Sequence, residues 1–313
     1  MADRLTENVL ITGGLGFIGS HIVDALGQNA EHKPVAYDLQ PPDSAKGNVV
    51  VIRGDVFDSV KLQKAVRDHE ISRVIHMVGF ASIPGCNEKP SASFRLNVSS
   101  VHSILETMRV CDVERVVFPS TAAVYGVTNG PQVNEKAVPN PTTVYGCHKL
   151  AAEMLIRGYA ESYGFEPTVL RLFNVYGDLH KEQGMISQSL RKAVAGEPIV
   201  VNGGNQLRDF VLLSDVVKAF VKSLDGVHDS QTAINVGSGV GVSIREIAEM
   251  ITRSFPNVQI LYNSPHNGEY SIYADVSRMK NVLGCVATSP SVGIPRFIEE
   301  CKCVSPLEAC SQP

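Results

Sequence analysis

Val9-Leu10-Ile11-Thr12-Gly13-Gly14-Leu15-Gly16-Phe17-Ile18-Gly19 decides the fold of this 313-residue chain. A short apolar strand runs into a glycine-rich turn. Ile18, Ile22, Val23 and Leu26 then recur at helical spacing. Gly14, Gly16 and Gly19 satisfy G-x-G-x-x-G, and Gly13, Gly16 and Gly19 satisfy G-x-x-G-x-x-G. Glycines here let the backbone turn sharply and approach a pyrophosphate, whose charge meets the N–H groups of a helix N-terminus. The strand before and the helix after are the context that such a motif requires.

Working outward, Val35-Ala36-Tyr37-Asp38 is predicted as the second strand. Asp38 lies 19 residues beyond Gly19, where an acidic group meets a ribose 2′-hydroxyl. A carboxylate there repels a 2′-phosphate, so NAD is expected rather than NADP. Val49 to Ile52 is a third strand, and Asp55 after it is placed to meet an adenine amino group. Val74 to Gly79 is a fourth, with His76 packed on it and small residues at its end to leave room for a cofactor. A helix from Phe94 to Met108 bears Asn97, expected to hold strand ends through backbone hydrogen bonds. Val116 to Phe118 is the fifth strand. Such alternation gives a Rossmann-type, doubly wound parallel sheet with helices on both faces. Ligands then sit at the carboxyl ends of the strands, where Gly13, Asp38, Asp55, Gly79 and Thr121 all fall.

The chemistry points to Tyr145-Gly146-Cys147-His148-Lys149. Tyr145 and Lys149 are four residues apart in a segment of helical periodicity, so they share one face. A free phenol has a pKa of about 10, and an ammonium beside it favours phenolate. Ser120-Thr121, at the end of the fifth strand, is expected to donate to the substrate oxygen that Tyr145 works on. Cys147 faces away and is expected to pack. Tyr125 is expected as a structural aromatic beneath the site.

Past Thr168-Val169-Leu170-Arg171 the pattern changes. Gly184 to Ala195 is a helix, Gly203-Gly204-Asn205 a turn and Arg208 to Val211 a strand. Ser214-Asp215 is expected to cap a helix from Val216 to Leu224. Ala233 to Val236 is a strand. Ser243 caps Ile244 to Phe255, with Glu246 completing a capping box. The tail from Cys301 to Pro313 reads as poorly ordered.

Composition sets the outer bounds. Hydrophobic residues make up 44% and charged ones 19%, with a net charge of −4. That is ordinary for a globular enzyme and gives no reason to expect nucleic acid or an anionic membrane. No apolar run approaches ~18 residues, and the polar start is not a signal peptide. Seven scattered cysteines fit free thiols in a reducing cytoplasm, and no ligand spacing supports a metal.

The chain resembles the extended short-chain dehydrogenase/reductase superfamily, and within it the nucleotide-sugar epimerase/dehydratase branch. The likeness covers about residues 8–298. It rests on Thr12 to Gly19, Ser120-Thr121-Ala122-Ala123-Val124-Tyr125-Gly126, Tyr145 to Lys149, Phe173-Asn174-Val175-Tyr176-Gly177 and Arg208-Asp209-Phe210. The resemblance implies an NAD-binding Rossmann domain at 8–174 with a return segment near 209–236. It implies a smaller mixed α/β nucleotide-sugar domain at 175–300 and a tail at 301–313. The implied cofactor set is Gly13, Gly16, Phe17, Ile18, Gly19, Asp38, Asp55, Val56, Met77, Gly79, Tyr145 and Lys149. Thr121, Tyr145 and Lys149 are the implied catalytic residues, and Ser120, Asn174 and Arg208 the implied substrate ligands. A homodimer paired through two helices, those of Phe94–Met108 and Tyr145–Ala160, is implied as well.

Relatives that eliminate water or decarboxylate carry a glutamate before Val-Tyr-Gly, and one type adds an aspartate. Here those positions are Ala122 and Ala123. A methyl group neither gives nor takes a proton. The expected reaction is therefore epimerisation at C4 of a UDP-hexose or UDP-hexuronate through a 4-keto intermediate. A net keto-sugar reductase, or less readily a dehydratase, is the alternative. In the later loops no arginine stands near His266, and Lys181 reads as a solvated loop lysine, with pairing to a uronate carboxylate the lesser alternative.

Overall fold

The computed structural model describes residues 7–28, 31–40, 49–179, 184–225, 233–264 and 270–302. Its centre is a seven-stranded sheet of β1 (Glu7–Thr12), β2 (His32–Asp38), β3 (Val50–Arg53), β4 (Ile71–His76), β5 (Arg115–Thr121), β6 (Glu166–Leu172) and β7 (Ala233–Val236). The strand order is β7-β6-β5-β4-β1-β2-β3. Pairing is parallel where β1 meets β2 and β4, where β2 meets β3 and where β4 meets β5. The order reverses between β1 and β4, which is the switch point of a doubly wound fold. Strands covered on both faces need continuous apolar runs. Val9, Leu10 and Ile11 accordingly have no exposed surface.

Helices follow strands in turn: α1 (Phe17–Gly27), α2 (Ser59–Asp68), α3 (Ile83–Glu88), α4 (Pro90–Phe94), α5 (Ser100–Val110) and α6 (Val144–Tyr163). α1 buries Ile22, Val23 and Leu26, as its spacing predicts. α6 begins on Thr143, whose side chain accepts the Gly146 N–H, and ends on Gly164 at φ +74°, a conformation that favours glycine. The helix predicted from Phe94 to Met108 is longer and irregular. Pro90 opens α4, and a π-helical turn from Arg95 to Ser99 joins it to α5. That turn buries Asn97.

Two compact units emerge. One contains Met1–Val127, Val138–Arg171 and Val217–Ile234, and the other Thr128–Ala137, Leu172–Val216 and Asn235–Pro313. In the second, Asn174–Tyr176 pairs parallel with Leu207–Leu212, which pairs antiparallel with Gly241–Ser243. Tyr176, Leu190, Phe210, Ile247, Ile251, Ile294 and Phe297 pack in its core. Gln132–Val133 joins this unit by pairing with Tyr273–Ala274.

Two local expectations need correction. The helix after Arg208–Val211 starts at Leu213, so Ser214 and Asp215 lie in its first turn rather than capping it. Asp215 instead accepts the Thr288 N–H at 2.6 Å. Cys301, expected in a loose tail, is buried in the helix Pro290–Lys302. Residues 303–313 lie outside the described residues, as do His266 and Lys181. Among the described residues no helix is long and apolar enough to cross a membrane.

Ser243 and Glu246 form the predicted capping box at Ile244–Ser254. Ser243→Ala should therefore lower the unfolding free energy by about 1 kcal/mol in urea denaturation. An unchanged midpoint would contradict the cap.

Candidate active site

The glycine turn is shaped by close contacts. Gly13 has φ +67°, and a Cβ on it would stand 3.0 Å from the Met77 carbonyl carbon. A Cβ on Gly19 would lie 2.2 Å from the Gly13 carbonyl oxygen, so only hydrogen fits. Gly16 is the α1 N-cap in extended backbone, with no side chain folded over the helix end and no acidic residue in the first turn. That end keeps its positive partial charge open to an anion. Phe17 and Ile18, which follow, are half-buried.

Asp38 ends β2 and is held in place: one carboxylate oxygen accepts the Leu15 N–H at 3.0 Å and the other the Gln40 N–H at 3.1 Å. Asp55 caps its own turn by accepting Phe57 N–H at 3.0 Å, and Val56 beside it is buried. The Met77 N–H extends the β1 ladder to Thr12 O at 2.9 Å. Gly79 is exposed, and a Cβ there would lie 3.0 Å from Asn97 Oδ1 and 3.6 Å from Lys149 Nζ. Asn97 fulfils its expected role. Its Oδ1 accepts Phe80 N–H at 2.8 Å, and its Nδ2 donates to Phe80 O at 3.1 Å.

Thr121, Tyr145 and Lys149 come together where β5 meets α6. Thr121 hydrogen bonds to Tyr145, and its Oγ1 also accepts the Ala123 N–H at 3.2 Å. With that lone pair engaged, its proton is available to the phenol oxygen. Ala122 and Ala123 form a single 3₁₀ turn beside it.

Two opposed effects act on the phenol. Burial pushes it up to about 12, and the Thr121 hydrogen bond only partly offsets this. The Lys149 amine has partners of its own on β5. Nζ donates to Pro119 O at 2.8 Å and stands 4.5 Å from the Phe118 ring centroid. Burial brings Lys149 down to about 8 against the opposing charge of Glu153.

Ser120 also departs from its expected place. It is buried, and its hydroxyl donates to the Glu153 carboxylate rather than facing outward with Thr121. Arg171 grips that carboxylate through Nε at 3.1 Å and Nη2 at 2.7 Å. Sequence reasoning passed over both residues. The signal was there: Glu153 continues the Tyr145–Lys149 face four residues on, and Arg171 interrupts an apolar strand. Tyr125 is fully buried with the Arg171 guanidinium 4.9 Å from its ring centroid, in keeping with a structural role. Cys147 is exposed rather than packed.

His76 is fully buried. Its Nδ1 lies 2.7 Å from Thr12 Oγ1 and its Nε2 3.0 Å from Ser100 Oγ. Burial, helped by the Lys149 charge, brings it down to about 3, so it is a neutral packing group.

In the second unit Asn174 and Arg208 sit on paired strands, with Asn174 opposite Phe210. Asn174 Nδ2 donates to Asp209 O at 2.8 Å. Arg208 donates to the carbonyls of Leu207 and Tyr270 and lies 5.1 Å from the Tyr270 ring centroid. Asp209 is the residue missed here. Fully buried, it accepts from Ser238 N and Oγ, Gly239 N and Ala274 N.

Comparison with known proteins adds to this geometry. The model of the NAD dependent epimerase/dehydratase family matches residues 9–237. A UDP-glucose 4-epimerase of Azospirillum brasilense is 29% identical over 311 residues, spanning 91% of this chain and 89% of that one. The structure of MoeE5 in complex with UDP-glucuronic acid and NAD superposes with a TM-score of 0.83 at 35% identity, covering 93% of this chain and 98% of the other. The UDP-glucose 4-epimerase of Thermotoga maritima with UDP-glucose gives 0.84 at 27% identity, covering 93% and 97%.

The neutral state of His76 has a consequence for stability. Its folded value of about 3 lies below the ordinary one, so between those values the unfolded chain binds the extra proton. The contribution is complete above about pH 6.5 and is lost as pH falls, by about 2 kcal/mol at pH 5. Urea denaturation of the parent should show this loss between pH 8 and pH 5. His76→Gln should lack that component, and equal pH slopes for the two would contradict the assignment.

Proposed function

Since the chain belongs to the NAD dependent epimerase/dehydratase family, we propose that it is an NAD-dependent nucleotide-sugar 4-epimerase. Its substrate in this reading is a UDP-hexose or UDP-hexuronate, inverted at C4 through a 4-keto intermediate. The observation that carries it is the Thr121–Tyr145 hydrogen bond at the end of β5, with alanines at 122 and 123 where a carboxyl would enable elimination.

The residues present suit the dinucleotide. The glycine turn has no room for a Cβ at Gly19, and the α1 N-terminus bears no side-chain cap. Gly13, Gly16, Phe17, Ile18 and Gly19 would hold the pyrophosphate. Asp38 would hold the adenine ribose, and Asp55 and Val56 the adenine. Met77, Gly79, Tyr145 and Lys149 would hold the nicotinamide side. NAD, when bound, supplies the hydride acceptor, the matching donor and a positive charge.

Tyr145 takes the proton of the C4 hydroxyl. Thr121 directs its hydroxyl proton to the phenol oxygen and so favours phenolate. Lys149, at about 8, keeps its charge through neutral pH. Once the sugar has presented its other face, Tyr145 returns the proton to the C4 oxygen. Asn174 and Arg208 would bind the diphosphate or the sugar. Pairing into a homodimer through α4–α5 and α6 is part of the same reading. It is supported by the exposed Phe94, Met154 and Tyr163.

Incubation with UDP-glucose and UDP-glucuronate, followed by NMR of the C4 configuration, should give the galacto epimer without steady change in nicotinamide absorbance. Tyr145→Phe should lose at least about 100-fold in kcat. Release of carbon dioxide, loss of the C6 oxygen or net NADH turnover would reject the reading. Light scattering should return twice the chain mass, and a monomer would remove the dimer.

A further inference from the structure

Three consecutive residues at the end of β5 are each gripped from one face of α6. Tyr145, Lys149 and Glu153 stand four residues apart in turn, so they stack along the helix. Tyr145 bonds to Thr121, Lys149 Nζ to the Pro119 carbonyl at 2.8 Å, and Glu153 accepts from Ser120 Oγ. Arg171 on β6 closes the Glu153 carboxylate from the other side. Glu153 and Arg171 are each 5% exposed. A buried ion pair of this kind is weak evidence for stability, because desolvation offsets the attraction. Its place in the active-site frame gives it another use.

We propose that Glu153, held by Arg171, is the positioning residue of the active site. It fixes Ser120 so that Thr121 keeps its hydroxyl on Tyr145, and it supplies the negative charge that keeps Lys149 protonated. This rests on the reading of Tyr145 as the proton-transfer group. Lys149 faces Tyr145 and Glu153 from α6, His76 from β4 and Cys86 from α3. His76 is neutral there, and Glu153 opposes the burial that pulls the amine down to about 8. Arg171 offsets part of that charge while fixing where it stands.

Glu153→Gln alone strands a buried guanidinium, so the test pairs Glu153→Gln with Arg171→Gln and adds Ser120→Ala. In the paired variant kcat should fall about tenfold or more near neutral pH with KM within about twofold. The alkaline limb of its kcat profile should move to lower pH, because the amine loses its proton sooner. A titration of Lys149 by NMR of lysines labelled at Cε, assigned with Lys149→Met, should move the same way without substrate present. Ser120→Ala should lower kcat severalfold and leave the Lys149 titration where it was.

A folded paired variant with the parent's kcat, pH profile and Lys149 titration would overturn the proposal. If the paired variant does not fold, an unchanged kcat in Ser120→Ala would do so. Should the parent itself fail to epimerise, the functional reading falls, while the Lys149 titration still tests the role of Glu153.

Discussion

One side of α6 pressed against the last residues of β5 is the constraint on which the candidate site depends. Phe118 lies between the buried His76 ring, stacked at 6.4 Å, and the Lys149 amine at 4.5 Å. A charged His76 would oppose Lys149 across that ring. The fold avoids this by burying the imidazole between two hydroxyls, Thr12 and Ser100. The same dry surroundings raise the cost of every charge nearby. They pull Lys149 down and push Tyr145 up, so the protein alone leaves the phenol far from ionised at neutral pH. In the proposed reaction Thr121, the Lys149 charge and a bound cationic nicotinamide would together bring it down.

The other end of the site depends on backbone rather than side chains. The contact at Gly19 leaves no space for a methyl group, Gly13 at φ +67° favours glycine, and Asp38 is held onto the glycine turn by the Leu15 N–H. A turn that rigid presents its N–H groups in place before any ligand arrives. In the second unit Asp209 has the corresponding organising task. Its buried carboxylate draws four donors together and leaves its backbone carbonyl to Asn174.

The strands and helices of the seven-stranded sheet were legible because parallel strands are apolar throughout and their helices repeat every three to four residues. Gly13 to Gly19, Asp38 and the Tyr145–Lys149 pair follow from local spacing alone. What escaped was set by long-range contact. The π turn that buries Asn97 has no sequence period of its own. Ser120 and Thr121 are adjacent hydroxyls that bond to different residues of α6, Glu153 and Tyr145, and the reading gave both to the substrate. Glu153 and Arg171 each stand at a telling position, but their pairing follows only once the strand and helix bring them within hydrogen-bonding reach.

The central claim is that hydrogen moves at a single carbinol carbon, with one phenol handling the proton. It is tested most directly with UDP-glucose deuterated at C4. The account predicts that the epimerised product keeps the deuterium on C4, with none released to water. Deuterium lost to solvent or found at C6 would contradict it.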